Sequence, residues 1–164
     1  FGNQTEILEK SVFHLQACIN EIRSISKRVS APTLGKISLE DSVKELVESI
    51  NLTNRLRINF QIEGMQQKMV PQDFHLTIYR IIQEQLNNIL KHAEATEIAI
   101  SIQQYDEVLN LVIADNGKGF NIHEKRKGIG ITNITNRAEL FNGLVKIVSA
   151  PGKGCRMEVG FGVR

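Results

Sequence analysis

The strongest constraint on the fold is an alternation of apolar and polar residues that recurs in short segments along the chain. It first occurs over residues 56–62, where every second position is Leu, Ile or Phe. Successive side chains of a strand point to opposite faces of a sheet, so this spacing predicts a β-strand with one buried face. Later strands are predicted at residues 98–102, 109–113, 144–149 and 156–163.

Helical patterns lie between these strands. Residues 38–50 have the apolar spacing of a short amphipathic helix, and residues 71–94 have that of a longer one. A third helix is predicted from about Ile131 to near Gly143. Strands mixed with two or three helices indicate an α/β fold, a two-layer α/β sandwich in which helices cover one face of a mixed β-sheet.

The N-terminal part has a different pattern. From residue 4 to about residue 30, apolar residues recur at steps of three and four, which predicts a helix with a coiled-coil-like seam. Pro32 ends this helix, so we expect a domain boundary that separates residues 1–35 from residues 36–164. A lone helix must bury such a seam, which predicts a homodimer formed through residues 4–30.

Composition excludes several classes of protein. With 164 residues, 41% hydrophobic and 23% charged, the chain can form one well-buried core. A net charge of +2 is too small to indicate a nucleic-acid or membrane surface. Cys18 and Cys155 lie far apart, so we expect neither a disulfide framework nor a zinc site, and a cytoplasmic location fits best.

Membrane contact is not expected for this stretch, because it has no run of about 18 apolar residues and no signal-peptide pattern. The chain opens with Phe1 rather than Met. We therefore expect a piece of a longer protein, in which any sensing part or membrane anchor lies outside these residues.

The segment EQLNNILKHA carries the first chemical signal. It spans residues 84–93 and places Glu84, Asn88 and Lys91 at spacings of four and three, on one face of a helix. These side chains combine metal-ligand oxygens with a cation suited to phosphate, as in one wall of a nucleotide site. The alternative is a solvated polar stripe on a surface helix.

Asp115 carries the second signal. It ends a predicted strand and is followed by the glycine-rich segment Asn116–Phe120. A carboxylate buried there can accept a hydrogen bond from an exocyclic amine, which would favour adenine over guanine. The alternative is an Asx-type turn in a hairpin.

Two further glycines, Gly128 and Gly130, precede a predicted helix, where free backbone amides and the helix dipole favour an anion. No Gly-x-x-x-x-Gly-Lys-Ser/Thr motif occurs, which excludes a P-loop. His123-Glu124 is followed by Lys127 where a zinc protease would need histidine, which excludes that metal site.

Taken in order, EQLNNILKHA, DNGKGF, GIGITNITNRAEL and PGKG resemble the N, G1, G2 and G3 boxes of one family. The sequence resembles the ATP-binding catalytic domain of two-component sensor histidine kinases, in the superfamily that includes gyrase and heat-shock chaperones. The resemblance covers residues 36–164. Residues 4–35 are similar to the second helix of the dimerisation and histidine-phosphotransfer hairpin in the nitrate-sensor-like subclass.

The resemblance implies roles for individual residues. Asn88 would coordinate Mg²⁺, with Glu84 and Asn87 in support, and Lys91 and His92 would lie near the phosphates. Asp115 would bind the adenine amine, and residues 118–127 would close over ATP. The remaining implied ATP-binding residues shape the backbone around the nucleotide: Gly117, Gly119, Gly128, Gly130 and Ile131.

One position departs from the family pattern, because Cys155 stands where a Thr or Ser hydroxyl is usual near the base. The acceptor histidine is also expected elsewhere, since His14 is followed by Leu15 rather than by an acidic residue. It would lie on a helix outside this chain.

The expected function is an enzyme, a histidine kinase that uses ATP and Mg²⁺ and serves a response regulator. An ATPase of the same superfamily, in which Glu84 activates water, is one alternative. A dimeric module that binds nucleotide without turning it over is another.

Overall fold

The computed structural model describes residues 38–51, 56–65, 71–122 and 129–162, all within one compact unit, Leu34–Arg164. The predicted N-terminal seam, the dimer helix and the boundary after residue 35 lie outside the described residues. Those three expectations therefore stay predictions.

Three helices and five strands are described. The helices are α1 (Leu39–Asn51), α2 (Gln72–His92) and α3 (Ile129–Glu139). The strands are β1 (Arg57–Glu63), β2 (Glu97–Tyr105), β3 (Val108–Asp115), β4 (Leu144–Ser149) and β5 (Cys155–Gly162). Every predicted strand is present, within three residues of its expected bounds.

The strands form one sheet in the order β1-β2-β3-β5-β4. Strands β1 and β2 pair in parallel and the other pairs are antiparallel, so the sheet is mixed. In β2, β3 and β5 the buried side chains occupy alternate positions, and the residues between them are more exposed. The predicted two-layer α/β sandwich is confirmed.

Local sequence explains where α1 and α2 begin and end. Ser38 caps α1, because its hydroxyl accepts a hydrogen bond from the Asp41 amide at 3.0 Å. Helix α2 follows Pro71 and closes with a bond from the Ala93 amide to the Ile89 carbonyl. Glu94 then adopts a positive φ of 54°, which turns the chain toward β2.

The core lies between the helices and the inner face of the sheet. Phe74 of α2 packs edge-on against Phe161 of β5, with ring centroids 4.9 Å apart. It contacts Phe141 in the same way at 5.1 Å. These contacts fix α2 across the sheet and so set the position of the polar residues at its C-terminal half.

Helix α3 begins at Ile129, two residues before its predicted start. Gly130 therefore lies in its first turn rather than in the preceding loop. A side chain there would meet α2, because an ideal Cβ would lie 2.6 Å from Asn88 Oδ1. Glycine at this position therefore lets α3 approach the Asn88 and Glu84 side chains closely, and a larger residue would displace them.

No helix within the described ranges combines the length and the apolarity that crossing a bilayer requires.

Candidate functional site

A cavity of about 490 Å³ lies between α2, the ends of β3 and β5, and the start of α3. Its volume is in the range of small-molecule sites. Its lining residues are Glu84, Gln85, Asn88, Ile89, Lys91, His92, Ala93, Asp115, Lys118, Gly119, Phe120, Gly130, Ile131, Ile147 and Cys155.

One part of the cavity, which we call the helix end, is formed by Glu84, Gln85 and Asn88 of α2 together with Gly130 of α3. The Cβ position of Gly130 lies 2.6 Å from Asn88 Oδ1 and 2.9 Å from Glu84 Oε1, so the two helices meet here. The Nδ2 atom of Asn88 is buried and has no hydrogen-bond partner. The helix end therefore holds polar groups that the protein itself leaves unsatisfied.

The opposite part, which we call the loop end, consists of residues 115–120 and residues 149–154. Asp115 shares a cross-strand row with Ile98, Cys155 and Ser149, so the pairing of β3 with its neighbours points it to the helix-covered face. Its Oδ1 atom accepts a hydrogen bond from the Gly117 amide at 2.9 Å. Its Oδ2 atom is buried without a partner.

Burial raises the pKa of Asp115, and hydrogen bonds from the backbone amides of Gly117 and Cys155 oppose that rise. A half-buried carboxylate with one satisfied oxygen and one unsatisfied oxygen is suited to accept a hydrogen bond from a ligand. An amine N–H is the complementary group.

Asn116 forms hydrogen bonds between the loop end and the connection from α2 to β2. Its Oδ1 atom accepts hydrogen bonds from the amides of Thr96 at 3.0 Å and Glu97 at 2.9 Å. Its Nδ2 atom donates to the Thr96 hydroxyl at 2.9 Å. The residue next to Asp115 is thereby held at three points.

Glycines allow the loop end to pack closely. A side chain at Gly117 would overlap the carbonyl of Ala93, the same carbonyl that accepts a hydrogen bond from the Lys118 amide at 2.8 Å. Gly119 has a φ of 59° and lies against the Ala150 and Gly154 carbonyls. The loop is thus pressed against α2 on one side and the β4–β5 turn on the other.

Ser149 joins the loop to that turn. Its hydroxyl donates to the Gly154 carbonyl at 2.7 Å and accepts from the Phe120 amide at 3.0 Å. A single hydroxyl thus satisfies two backbone groups from different segments.

Cys155 adds a weakly polar wall beside Asp115. Burial raises the pKa of its thiol to about 11, with the charge of Asp115 adding to the rise. The thiol therefore stays protonated at neutral pH. It lines the cavity where the family resemblance led us to expect a hydroxyl.

Most of the residues singled out from the sequence lie together around this cavity. Those that line it are Glu84, Asn88, Lys91, His92, Asp115, Gly119, Gly130 and Ile131. Asn87 does not line it, and Gly117 lies behind the loop against Ala93. Gly128 is outside the described residues. The roles that we predicted for these residues stay predictions.

Sequence reasoning missed three residues that the structure brings into the site: Gln85, Asn116 and Ser149. Asn116 lies inside a motif that we noted only for its aspartate and glycines. Gln85 lies inside the segment EQLNNILKHA, which we noted for other residues, and Ser149 has no local signal, because a serine at a strand end is common. Their positions depend on which elements pack together.

Comparison with known proteins places the chain in a family. Residues 75–163 match the sequence profile described as "Histidine kinase-, DNA gyrase B-, and HSP90-like ATPase". The chain belongs to this family.

A curated relative is the sensor protein VraS of Staphylococcus aureus (strain COL), which is 32% identical over 157 residues. The match covers 95% of this chain but 44% of the relative, so the chain spans less than half of that protein's length. The family match and the sensor-protein relative together identify the chain as the ATP-binding catalytic domain of a histidine kinase.

Solved structures share the fold. The blue-light activated histidine kinase of Erythrobacter litoralis EL346 aligns with a TM-score of 0.69 at 18% identity, over 88% of this chain and 50% of that chain. The histidine kinase AdeS of Acinetobacter baumannii aligns with a TM-score of 0.63 at 12% identity, over 78% and 66%. At these identities the likeness concerns the fold alone.

Proposed function

We propose that the whole protein transfers the γ-phosphate of ATP to a histidine, and that the cavity described above binds the nucleotide for this reaction. The observation that carries the proposal is the pair of buried, unpartnered atoms at its two ends, Asp115 Oδ2 and Asn88 Nδ2. Leaving such groups unsatisfied costs about 1 to 3 kcal/mol each. A ligand that satisfies both would recover that cost.

At the loop end, Asp115 Oδ2 accepts a hydrogen bond from the exocyclic amine of adenine. Guanine presents a carbonyl oxygen at the corresponding place and would leave the carboxylate unpaired. Ile147 and the protonated Cys155 thiol provide apolar contact for the ring, since both line the cavity. The loop end thus selects ATP over GTP.

At the helix end, the donor set fits Mg²⁺. Asn88 Oδ1 and Glu84 Oε1 both lie close to Gly130, and amide and carboxylate oxygens are ligands that this ion prefers. Within the described ranges, no three His, Cys, Asp or Glu residues form a metal cluster. Mg²⁺ in nucleotide sites usually takes one or two protein oxygens, the rest coming from phosphates and water.

Mg²⁺ would neutralise charge that develops on the phosphates during transfer. The residues of the chain would position the nucleotide. Asn88 would hold the ion, with Glu84 and Asn87 in support, and Lys91 and His92 would lie beside the phosphate chain. Gly117, Gly119, Gly128, Gly130 and Ile131 would shape the backbone around ATP.

The remaining assignments concern the whole protein. We propose that the acceptor histidine lies on a hairpin helix outside this chain, and that a response regulator receives the phosphoryl group. Residues 4–30 would form the homodimer, as expected for a kinase of the nitrate-sensor-like subclass. The catalytic domain would act on the cytoplasmic side, whatever anchors the whole protein.

A phosphotransfer assay on the whole protein tests this proposal. With γ-labelled ATP and Mg²⁺, we expect acid-labile label on the protein, as phosphohistidine gives, and no label with EDTA or in Asn88→Ala. Steady release of phosphate without protein labelling would instead favour the ATPase in which Glu84 activates water. ATP binding with neither label nor hydrolysis would favour a non-catalytic nucleotide-binding module.

A further inference from the structure

Gln85 is the buried polar residue of the cavity that neither the sequence motifs nor the family match assigns. Its side chain is only 6% exposed, and it lines the cavity beside Asn88. Across the described parts of the chain, no hydrogen bond joins its amide to another residue. Its amide atoms are not among the fully buried polar atoms that lack a partner, so the amide is open to the cavity, where a ligand can reach it.

Gln83 shows that burial alone does not explain this. It lies on the same helix and is 8% exposed, close to the value for Gln85. Its Oε1 atom, however, accepts a hydrogen bond from Arg80 Nη1 at 2.7 Å, and it does not line the cavity. The glutamine that faces protein is thus bonded to protein, whereas the one that lines the cavity has its amide open to the cavity.

The position of Gln85 along α2 indicates which part of a ligand it meets. The loop end attaches to α2 at Ala93, whose carbonyl accepts the Lys118 amide. Gln85 lies eight residues earlier, about 12 Å along the helix axis at 1.5 Å per residue. It is thus well separated from Asp115 and belongs to the helix end.

The start of α3 reaches the same turn of α2. Gly130 lies against Asn88 and Glu84. Glu84 directly precedes Gln85 in the helix, and Asn88 follows it by about one turn. The N-terminal turn of a helix presents free amides and a positive partial charge, which favours an anion. An uncharged N–H donor placed next to such a turn fits a phosphate oxygen.

We propose that Gln85 is a nucleotide-contacting residue whose Nε2 amide donates a hydrogen bond to the phosphate chain. The inference rests on the proposed function and adds to it a neutral donor among the charged and metal-binding groups of the helix end. Gln85 contributes to binding of the phosphates and not to recognition of the base.

The test is calorimetric titration of ATP, ADP and adenosine with Mg²⁺ into the wild-type chain and Gln85→Leu. Leucine removes the amide and retains similar bulk. We expect ATP and ADP to bind roughly three- to tenfold more weakly, the range for loss of one neutral hydrogen bond, with adenosine unchanged. We also expect no fall in Tm without nucleotide, because the lost amide had no partner.

Gln83→Leu is the matched control. It removes a buried amide that has a protein partner, so its Tm should fall while its affinities for all three ligands stay at the wild-type values.

Three outcomes would overturn the inference. Unchanged ATP affinity in Gln85→Leu would mean that Gln85 does not contact the nucleotide. An equal loss of affinity for adenosine would mean that it contacts the nucleoside rather than the phosphates. A fall in Tm with intact affinities would make Gln85 a structural residue. Failure of the wild-type chain to bind ATP is a different result, since it would contradict the proposed function itself.

Discussion

The two ends of the cavity differ in how the protein holds them in place. At the loop end, Asn116, Ser149 and the backbone of residues 117–120 make a continuous set of hydrogen bonds to the surrounding segments. At the helix end, the Nδ2 atom of Asn88 is buried without a partner, and Gly130 lies against the ends of the Asn88 and Glu84 side chains. The backbone of the loop end is thus held by the protein's own hydrogen bonds, while each end keeps one buried unpartnered atom for a ligand, Asp115 Oδ2 or Asn88 Nδ2.

This difference has a physical reason. A flat base is recognised by one or two directional hydrogen bonds, so the acceptor must be held rigidly and its backbone fixed in advance. Phosphates with a hydrated cation need several donors and oxygens that can adjust. Changes at the loop end should therefore alter stability as well as binding, and changes at the helix end should alter binding alone.

The largest effect is expected for Gly119→Ala. Gly119 has a φ of 59°, and a Cβ there would overlap the Ala150 carbonyl, so both strain and steric conflict oppose the substitution. We expect the free energy of unfolding to fall by about 2 to 5 kcal/mol, measured by urea denaturation. Gly152→Ala is the control, because Gly152 has a φ of 74° but nothing within 4 Å of its Cβ position. Equal losses in the two variants would mean that the packing of the loop on the turn contributes nothing.

Ser149→Ala should have the next largest effect. It leaves the Gly154 carbonyl and the Phe120 amide without the partner they share, which costs about 1 to 3 kcal/mol. Denaturation should show that loss, and ATP affinity should fall with it because Phe120 lines the cavity. Ser101→Ala, on the more exposed face of β2, is the control and should change neither quantity. If the two serine variants behaved alike, Ser149 would not hold the loop.

The substitution Asp115→Asn should raise the stability of the unliganded chain by an amount that depends on pH. Burial raises the pKa of Asp115 in the folded chain, so its ionised form destabilises the protein above that pKa. Asparagine removes this cost, and we expect a higher Tm than wild type at neutral pH. The difference should shrink as pH falls through the raised pKa of the folded chain and vanish below about 3, where the carboxyl is protonated in both folded and unfolded chains. A Tm advantage that is the same at every pH would contradict the assignment.

The smallest effect is expected for Glu94→Gln. Lys118 Nζ lies 2.6 Å from Glu94 Oε1 and lowers the pKa of that carboxyl, but both side chains are largely exposed. Water and salt weaken such pairs, so we expect no measurable change in Tm at 0.15 M salt. A clear loss of stability would show that this pair, rather than Asn116 and Ser149, holds the loop end in place.

The sequence was sufficient to predict the parts of the fold that depend on local periodicity. Alternation in β1, β2 and β3, and apolar spacing in α2, led directly to the two-layer sandwich. The sheet order, in which β5 lies between β3 and β4, was not predicted. Strand order depends on contacts between distant segments, and nothing in the local pattern of β4 or β5 indicates it.

The site followed the same rule. Asp115 and Asn88 were predicted because they lie in recognisable motifs, and the structure brings both to one cavity. Gln85 and Ser149 were not, because their importance depends on which partners the fold supplies or withholds. The start of α3 was predicted two residues late, because Gly128 and Gly130 are typical of a loop. In the structure Gly130 is part of the helix and lies against Asn88.

The central claim is that Asp115 selects the adenine base of ATP, and calorimetric titration of ATP and GTP with Mg²⁺ tests it most directly. The chain and Asp115→Asn should be compared, because asparagine has one acceptor oxygen and cannot serve both Gly117 and a ligand amine. We predict that the wild-type chain prefers ATP over GTP by about tenfold or more, and that the variant loses about tenfold or more in ATP affinity. Equal affinity for ATP and GTP, or a variant that binds ATP as tightly as the wild type, would contradict the account.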